Sequence, residues 1–517
     1  MYLEEIFEGK KLLLDFSDRD LEQKVLNFFA EKEIHVTQGK KEECDYIITD
    51  RKDCKASNCV KVGRLFNPSF LKELHNVSSI GIYKGIYFVF PTPVFYSSYD
   101  RMFFYVFILF LLVLPTVFVP IPPDDLLRHF IAYKYDFYYS KVFINSSIPS
   151  WDFYLLFDFI VGGIHKFCSL IPVDYFRENL PFILVFYLFS FLTLFAVKVN
   201  VGSVPRTYLL FFFSLFMGAT GGRIFLERPS VLATLLFFIS LGYLIQKKER
   251  LGLIFSFLIS LFYYLFFIYL IPLIFFNRKV FIPLLFGFFY WSVIAYLDGG
   301  EYFLDVYRYI LSLKGDLTAS ENKSLIFSLN NPLIVIVLVL LFLNLKRSKK
   351  RYVYPSFWFL LSNQIRYVEN IGPLLLFSVQ DAVIEFLDKF LRKNLLAIFV
   401  ISISVFVSYY KGVYSETVRL SREVCSIMEG GKVKTTLGLN FSVVYFCESI
   451  KVNPPMEIRW SKDLELDKNL VRGKINCSDE RLYNYDYLLE NSLEGKFECL
   501  KFLYRGKGFV LWKIEKQ

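Results

Sequence analysis

The sequence predicts a mostly α-helical, polytopic membrane protein with a small N-terminal α/β domain and a C-terminal α+β extracytoplasmic domain. Three observations lead there. Of 517 residues, 55% are hydrophobic and 19% aromatic, Phe alone numbers 60, and mean hydropathy is +0.41; a water-soluble domain carries fewer apolar residues. Apolar runs approach the ~20 residues that a helix needs to cross a bilayer, the first from Met102 to Pro120. Lys and Arg gather in the short links between runs, as the positive-inside rule requires. The net charge of +10 is thereby explained by topology, and no nucleic-acid partner is called for.

Residues 1–97 form the first domain, expected on the cytoplasmic side. The opening Met1-Tyr2-Leu3-Glu4-Glu5 is acidic and lacks an early apolar core, so the first membrane helix is expected to serve as the insertion signal. Strands are predicted at Leu12–Phe16, Ile34–Val36, Asp45–Ile48 and Val60–Val62. A helix over Asp18–Lys32 places Leu21, Val25, Phe28 and Phe29 on one side. A short helix from Asn67 to Leu74 opens with Asn as cap and Pro in its first turn. Cys44, Cys54 and Cys59 have no metal-ligand spacing and suit a reducing compartment.

Residues 98–410 are the membrane part. The basic links Lys198 with Arg206, Lys247-Lys248-Glu249-Arg250, Asn277-Arg278-Lys279, Lys346–Arg351 and Lys389 with Arg392-Lys393 are assigned to one face. Runs between them then give about 11 crossings, N-terminus inside and C-terminus outside. The long run Leu251–Phe276 divides into two short helices near Tyr263-Tyr264. Residues 122–180 form a large first external loop with interfacial amphipathic helices. Its stretch Phe153–Ile171 is interrupted by Asp158, Gly162-Gly163, His165 and Lys166, which argues against a full crossing.

The opposite face collects Asp124-Asp125, Glu227-Arg228 and Arg366 with Glu369. Adjacent carboxylates where a chain leaves a membrane are costly unless they face water or a pocket, so Asp124 and Asp125 are functional candidates. Residues 411–517 are the second soluble domain, with strands predicted at Lys434–Leu439, Ser442–Phe446 and Gly508–Ile514. Cys425, Cys447, Cys477 and Cys499 are an even number in an oxidising compartment, compatible with two disulfides of open connectivity or with buried thiols.

Two resemblances follow. The order of elements in residues 1–97 resembles a BRCT-type domain, with Glu31-Lys32-Glu33 at the usual Gly-Gly and Phe70 at the usual Trp. From Met102 to Gln517 the chain resembles the GT-C superfamily of glycosyltransferases. Asp124-Asp125 looks like the acidic pair of its first external loop. Ser147-Ile148-Pro149-Ser150-Trp151-Asp152 is similar to its Ile-Pro-x-x-Asp stretch, Arg228-Pro229 to its Arg-Pro helix start, and Arg366-Tyr367 to a later Arg segment. The resemblance implies a membrane enzyme of the cell envelope that takes sugar from a polyprenyl-phosphate donor to a glycan, lipid or protein acceptor, in contact with membrane lipid.

The chemistry gives each residue a role. A carboxylate within hydrogen-bond reach can take the acceptor's proton, assigned to Asp124 with Asp125 orienting it. The leaving group is a phosphate, and the planar guanidinium grips its oxygens while staying charged. Arg228 and Arg366 are the phosphate ligands, with Arg223 and Arg128 behind them; His129, Asp152 and Glu227 complete the substrate-binding set. No cofactor is required, and a divalent metal is left open.

Bland readings compete. Asp124-Asp125 can cap a helix, Arg228-Pro229 can simply start one, Arg366 and Glu369 can pair along a helix surface, and Asp152 can be a turn residue. His129 and His165 suit structural roles, since four His without clustered ligand spacing support no metal site. A transporter or a polymerase or flippase type of membrane protein is the alternative function. A transporter would place charges near the bilayer midplane and show repeated halves, neither of which the sequence displays, and a polymerase would lack an early acidic pair joined to later Arg links.

Overall fold

The computed structural model describes residues 11–31, 37–38, 46–50, 59–64, 80–83, 86–89, 98–120, 125–134, 155–202, 204–220, 227–297, 339, 349–361, 368–387, 395–411, 416–428, 430–435, 440–447, 449–453, 466, 469–470, 473–490, 497–506 and 509–515. In the first domain β1 (Lys11–Asp15), β2 (Thr37–Gln38), β3 (Tyr46–Thr49) and β4 (Cys59–Arg64) run parallel in the order β2-β1-β3-β4. Two strands absent from the sequence reading, β5 (Ile80–Tyr83) and β6 (Ile86–Val89), extend the sheet antiparallel, with β6 beside β4.

One face of this sheet is covered by helix α1 (Arg19–Glu31). It buries Leu21, Val25, Phe28 and Phe29, the side its spacing predicts, among Leu12, Ile48, Val60, Val62 and Phe88. Asp18 accepts from the amides of Asp20 and Leu21, which a helix start leaves without partners. The helix expected at Asn67–Leu74 and the cysteines Cys44 and Cys54 lie outside the described residues.

The helical body runs through α2 (Ser98–Val117), α3 (Asp125–Lys134), α4 (Leu155–Ser169), α5 (Asp174–Val201), α6 (Arg206–Ala219), α7 (Pro229–Ile245), α8 (Glu249–Phe262), α9 (Phe266–Ile274), α10 (Phe281–Leu297), α11 (Lys350–Leu361), α12 (Val368–Ser378), α13 (Gln380–Phe386) and α14 (Leu395–Lys411). Among the described residues two helices are long and apolar enough to cross a membrane, over Asp100–Val117 and Arg177–Val201. The expected polytopic fold of about 11 transmembrane helices is corrected by this finding. The other helices of the body have 7 to 17 residues. At ~1.5 Å per residue even the longest fall short of the ~30 Å apolar layer.

The reason is physical. Apolar runs break where the chain turns, at Tyr263–Leu265 between α8 and α9 and at Val379 between α12 and α13. What remains is covered largely by protein: every residue of α7 from Val231 to Gly242 is buried. Helix α2 differs, because Tyr105, Leu109, Val113 and Val117 form an exposed apolar stripe at four-residue spacing. The predicted run Pro332–Leu345 falls almost wholly outside the described residues.

Hydrogen bonds join the basic links at one end of the body. The Asp100 carboxylate accepts from the amides of Arg206 and Thr207 at 2.8 and 2.7 Å, capping α6. Gln246 donates to the Val199 carbonyl, and the Tyr352 hydroxyl to that of Asn200. Lys279 pairs with Glu249 and Lys349 with Asp381.

The C-terminal domain comprises α15 (Glu416–Ile427), β7 (Gly431–Thr435), α16 (Asn440–Phe446), β8 (Ile450–Val452), β9 (Tyr487–Glu490), β10 (Leu500–Gly506) and β11 (Phe509–Ile514). Its sheet order is β10-β11-β9-β7-β8, with β7 parallel to β8 and β9 and β11 antiparallel to β9 and β10. Ser442–Phe446, expected as a strand from its β-branched and aromatic residues, is helical instead. There Asn440 donates to the Asn453 carbonyl, and burial of Phe441, Val443 and Val444 outweighs local propensity. Disulfides join Cys425 to Cys447 and Cys477 to Cys499, and the free Cys168 is buried.

A close backbone approach generates a test of the packing. A Cβ on Gly372 of α12 would lie 2.2 Å from the Ala219 carbonyl oxygen at the end of α6, whereas one on Gly163 of α4 meets nothing within 4 Å. Gly372→Val should destabilise the protein by about 1–3 kcal/mol. Gly163→Ala should be neutral or stabilising by up to about 1 kcal/mol. Thermal unfolding of the purified full chain checks both.

Candidate functional site

Helix α3 buries Leu126, Leu127, Phe130 and Ile131, and with them two polar side chains, Arg128 and His129, 6% and 2% exposed. Groups of that kind are costly to bury unless they are partnered. His129 Nδ1 makes a short hydrogen bond with the Asp158 carboxylate of α4, itself 0% exposed. The Arg128 guanidinium lies 5.9 Å from the centre of the Phe441 ring, a cation–π arrangement. Phe130 packs against His165, Phe182 and Tyr445, while His165 Nε2 and the Tyr445 hydroxyl are 3.1 Å apart. Helix α16 of the C-terminal domain therefore closes over α3 and α4.

A second corner lies before α7. Glu227 has φ +52°, a left-handed conformation that costs a non-glycine residue roughly 1–2 kcal/mol. Its side chain is 0% exposed, and neither carboxylate oxygen has a hydrogen-bond partner. Burial holds this carboxyl well above the ordinary carboxylate range. Arg228 follows as the N-cap of α7 and provides no side-chain cap; Pro229 takes the first helical position.

Other elements reach this corner. The Tyr410 hydroxyl, near the end of α14, donates to the Phe118 carbonyl just beyond α2, and the Tyr409 hydroxyl donates to the Gly218 carbonyl at the end of α6. On α7, Thr234 donates to Asn370 Oδ1 of α12 at 3.1 Å. The Tyr269 hydroxyl of α9 lies 3.2 Å from Thr234 and 3.4 Å from the Ser230 carbonyl. Asn370 is buried, and its Nδ2 has no hydrogen-bond partner.

Of the residues singled out from sequence, Glu227 and Arg228 stand together. The helix they precede, α7, is tied through Thr234 to Asn370 of α12, four residues beyond Arg366. Arg128 and His129 sit on α3 beneath the C-terminal domain. Asp124, Asp152, Arg223, Arg366 and the Asp125 side chain lie outside the described residues. Sequence reasoning missed Asp158, whose signal was present: a lone acid in an apolar helix, read only as an interruption. Asn370 and Tyr410 carry no local signal, since their roles arise from contacts across the fold. Among the described residues no three or more His, Cys, Asp or Glu side chains cluster as a metal site. No known family profile matches the chain, and no curated protein is similar to it.

Two tests follow from this geometry. Asp158→Leu leaves His129 buried without its carboxylate and should cost about 2–4 kcal/mol. Changing His129 to Leu as well should recover much of the loss, which a double-mutant thermal-unfolding series measures. Glu227 binds a proton more tightly in the folded than in the unfolded chain. Its contribution to stability is therefore full below the ordinary carboxylate pKa and declines as pH rises toward the folded value. Glu227→Gln, which never ionises, should raise the unfolding temperature more at pH 8 than at pH 5.

Proposed function

We propose that this chain is a membrane-anchored glycosyltransferase that moves a sugar from a polyprenyl-phosphate donor to an acceptor on the extracytoplasmic face. One observation carries the reading. The exit of α2, the end of α14 and the end of α6 meet through Tyr410, which donates to the Phe118 carbonyl, and Tyr409, which donates to that of Gly218, and Glu227 follows α6 by eight residues. The acidic pair follows Phe118 within seven residues, and the proposal assigns the acid–base group and the phosphate-gripping guanidinium to that end of the helical body.

Topology supports it. α2 and α5 are long and apolar enough to serve as membrane anchors, and α2 is the first helix after the sheet of residues 11–89. α16 packs on α3 and α4, which follow α2, so the C-terminal domain stands at the end of the helical body where α2 finishes. Its two disulfides fit an oxidising compartment there. The exposed stripe of α2 gives lipid an apolar surface.

In the proposed reaction the acceptor oxygen attacks the anomeric carbon while Asp124 takes its proton. The bond from that carbon to the phosphate oxygen breaks in the same displacement, inverting the configuration, and polyprenyl phosphate departs. Arg228, with Arg366 and Arg223 from the neighbouring links, stabilises the charge left on the phosphate. Asp125 orients the base, Asp152 contacts the acceptor, and Arg128 lies behind the site.

Asp124→Asn should lower transfer of radiolabelled sugar from polyprenyl-phosphate sugars to membrane acceptors by about 10²–10⁴-fold. The assay uses membranes with equal amounts of each protein. Undiminished transfer by the variant removes the mechanism.

A further inference from the structure

Helices α2 and α5 lie side by side, the Tyr187 hydroxyl of α5 donating to the Leu112 carbonyl of α2. The start of α2 meets the turn that follows α5, because Asp100 accepts from the amides of Arg206 and Thr207 at the head of α6. Each of the two long helices carries an exposed apolar face. On α2 it consists of Tyr105, Leu109 and Val113, and on α5 of Leu188, Phe191 and Phe195. Steps of three and four residues put each set on one side of its helix. Both faces end at a cation. On α5 the next residue of the series is the exposed Lys198, whose Nζ donates to the Gly202 carbonyl of the turn at 3.1 Å. On α2 the Tyr105 hydroxyl accepts from Arg206 Nη1 at 3.4 Å, and the guanidinium lies 5.7 and 5.8 Å from the Phe104 and Tyr105 ring centres. A third cation stands nearby: Lys248 Nζ lies 5.9 Å from the Tyr243 ring, which packs on Phe195. None of the three is in an ion pair among the described residues.

We propose that the α5–α6 turn is the headgroup site of an acidic phospholipid, with Arg206 and Lys198 on its phosphate and its acyl chains along the faces of α2 and α5. Cations that end an apolar face stand at the depth where headgroups lie, and so does a tyrosine whose ring is apolar and whose hydroxyl is bonded. The Arg206 fork suits a phosphate's oxygens, and the stacking on Phe104 and Tyr105 holds it over the head of the α2 face. Lys198 supplies a second point charge and Lys248 a more distant one. A zwitterionic lipid brings its own ammonium to these cations, whereas an acidic lipid brings only negative charge, so the site selects the acidic one. Asp100, the acid at the same turn, is buried and bonded to the α6 amides. The site lies where α2 begins, at the opposite end of that helix from the acidic pair. It rests on the reading of α2 and α5 as membrane anchors and is independent of sugar transfer.

The test immobilises the full chain in detergent and measures its retention of radiolabelled phosphatidylglycerol and phosphatidylcholine from mixed micelles. The wild type should prefer phosphatidylglycerol by about tenfold at low salt, and the preference should shrink as ionic strength rises. Lys198→Gln and Arg206→Gln should each lower it about fivefold, and the double variant should abolish it. Arg206→Lys, which keeps the charge, should stay within about threefold of the wild type. Lys501→Gln, which removes an equal charge from the exposed face of β10, should leave the preference unchanged. Equal retention of the two lipids by the wild type overturns the proposal. So does a preference that survives in the double variant, or one that Lys501→Gln lowers as much as Arg206→Gln does. Displacement by dioctanoyl phosphatidylglycerol supports a lipid as occupant, and equal displacement by glycerol 3-phosphate overturns that assignment. Release of the chain from membranes by alkaline carbonate removes the anchors and this site together. A chain that resists extraction and shows no lipid preference overturns the site and leaves the anchors standing. Lipid preference in a chain that transfers no sugar removes the transferase and supports the site.

Discussion

The burial of α7 is the constraint on which the rest of the structure depends. Its residues from Val231 to Gly242 are all out of solvent, so the helix is apolar around its whole circumference and must be covered on every side. Helices α5, α8, α9 and α12 provide that cover. The few polar groups inside are matched across elements: Thr234 with Asn370 and Tyr269, and Ser240 with Ser256 and the Gly252 carbonyl. Each bond contributes only about 1 kcal/mol, yet leaving a group unmatched costs more, and this fixes which helix faces which.

Because α7 is enclosed, its starting end is enclosed as well, and Glu227 and Arg228 are drawn inward with it. A carboxyl at a helix start on a protein surface is hydrated and unremarkable. At this corner it is desolvated, strained and unbonded. The chemistry of the corner is a consequence of helix packing some distance away, and it would vanish if α7 were a surface helix.

The C-terminal domain is held to the helical body by aromatic and cationic contacts. Phe441 faces Arg128, and Tyr445 joins Phe130, Phe182 and His165. The Cys425–Cys447 disulfide ties α15 to the residue after α16, so the helix bearing these side chains is anchored at its far end. Beneath it the His129–Asp158 bond joins α3 to α4. Domain and helices thus form one continuous wall on the side of the molecule where α2 ends.

Much was legible in the sequence. The spacing of Leu21, Val25, Phe28 and Phe29 gave the buried face of α1, and Arg228-Pro229 marked the start of α7, whereas the apolar composition, read as about 11 membrane spans, gave the helical content but not how it is packed. Four cysteines in the last domain allowed two disulfides without revealing their partners. Only the tertiary structure decided how many helices are long enough to cross a bilayer, that Ser442–Phe446 coils instead of extending, and that Asp158 meets His129. The physical reason is common to all three. An apolar run records that water is excluded, but hydrocarbon and protein interior are alike to it. What excludes the water is settled by residues far along the chain.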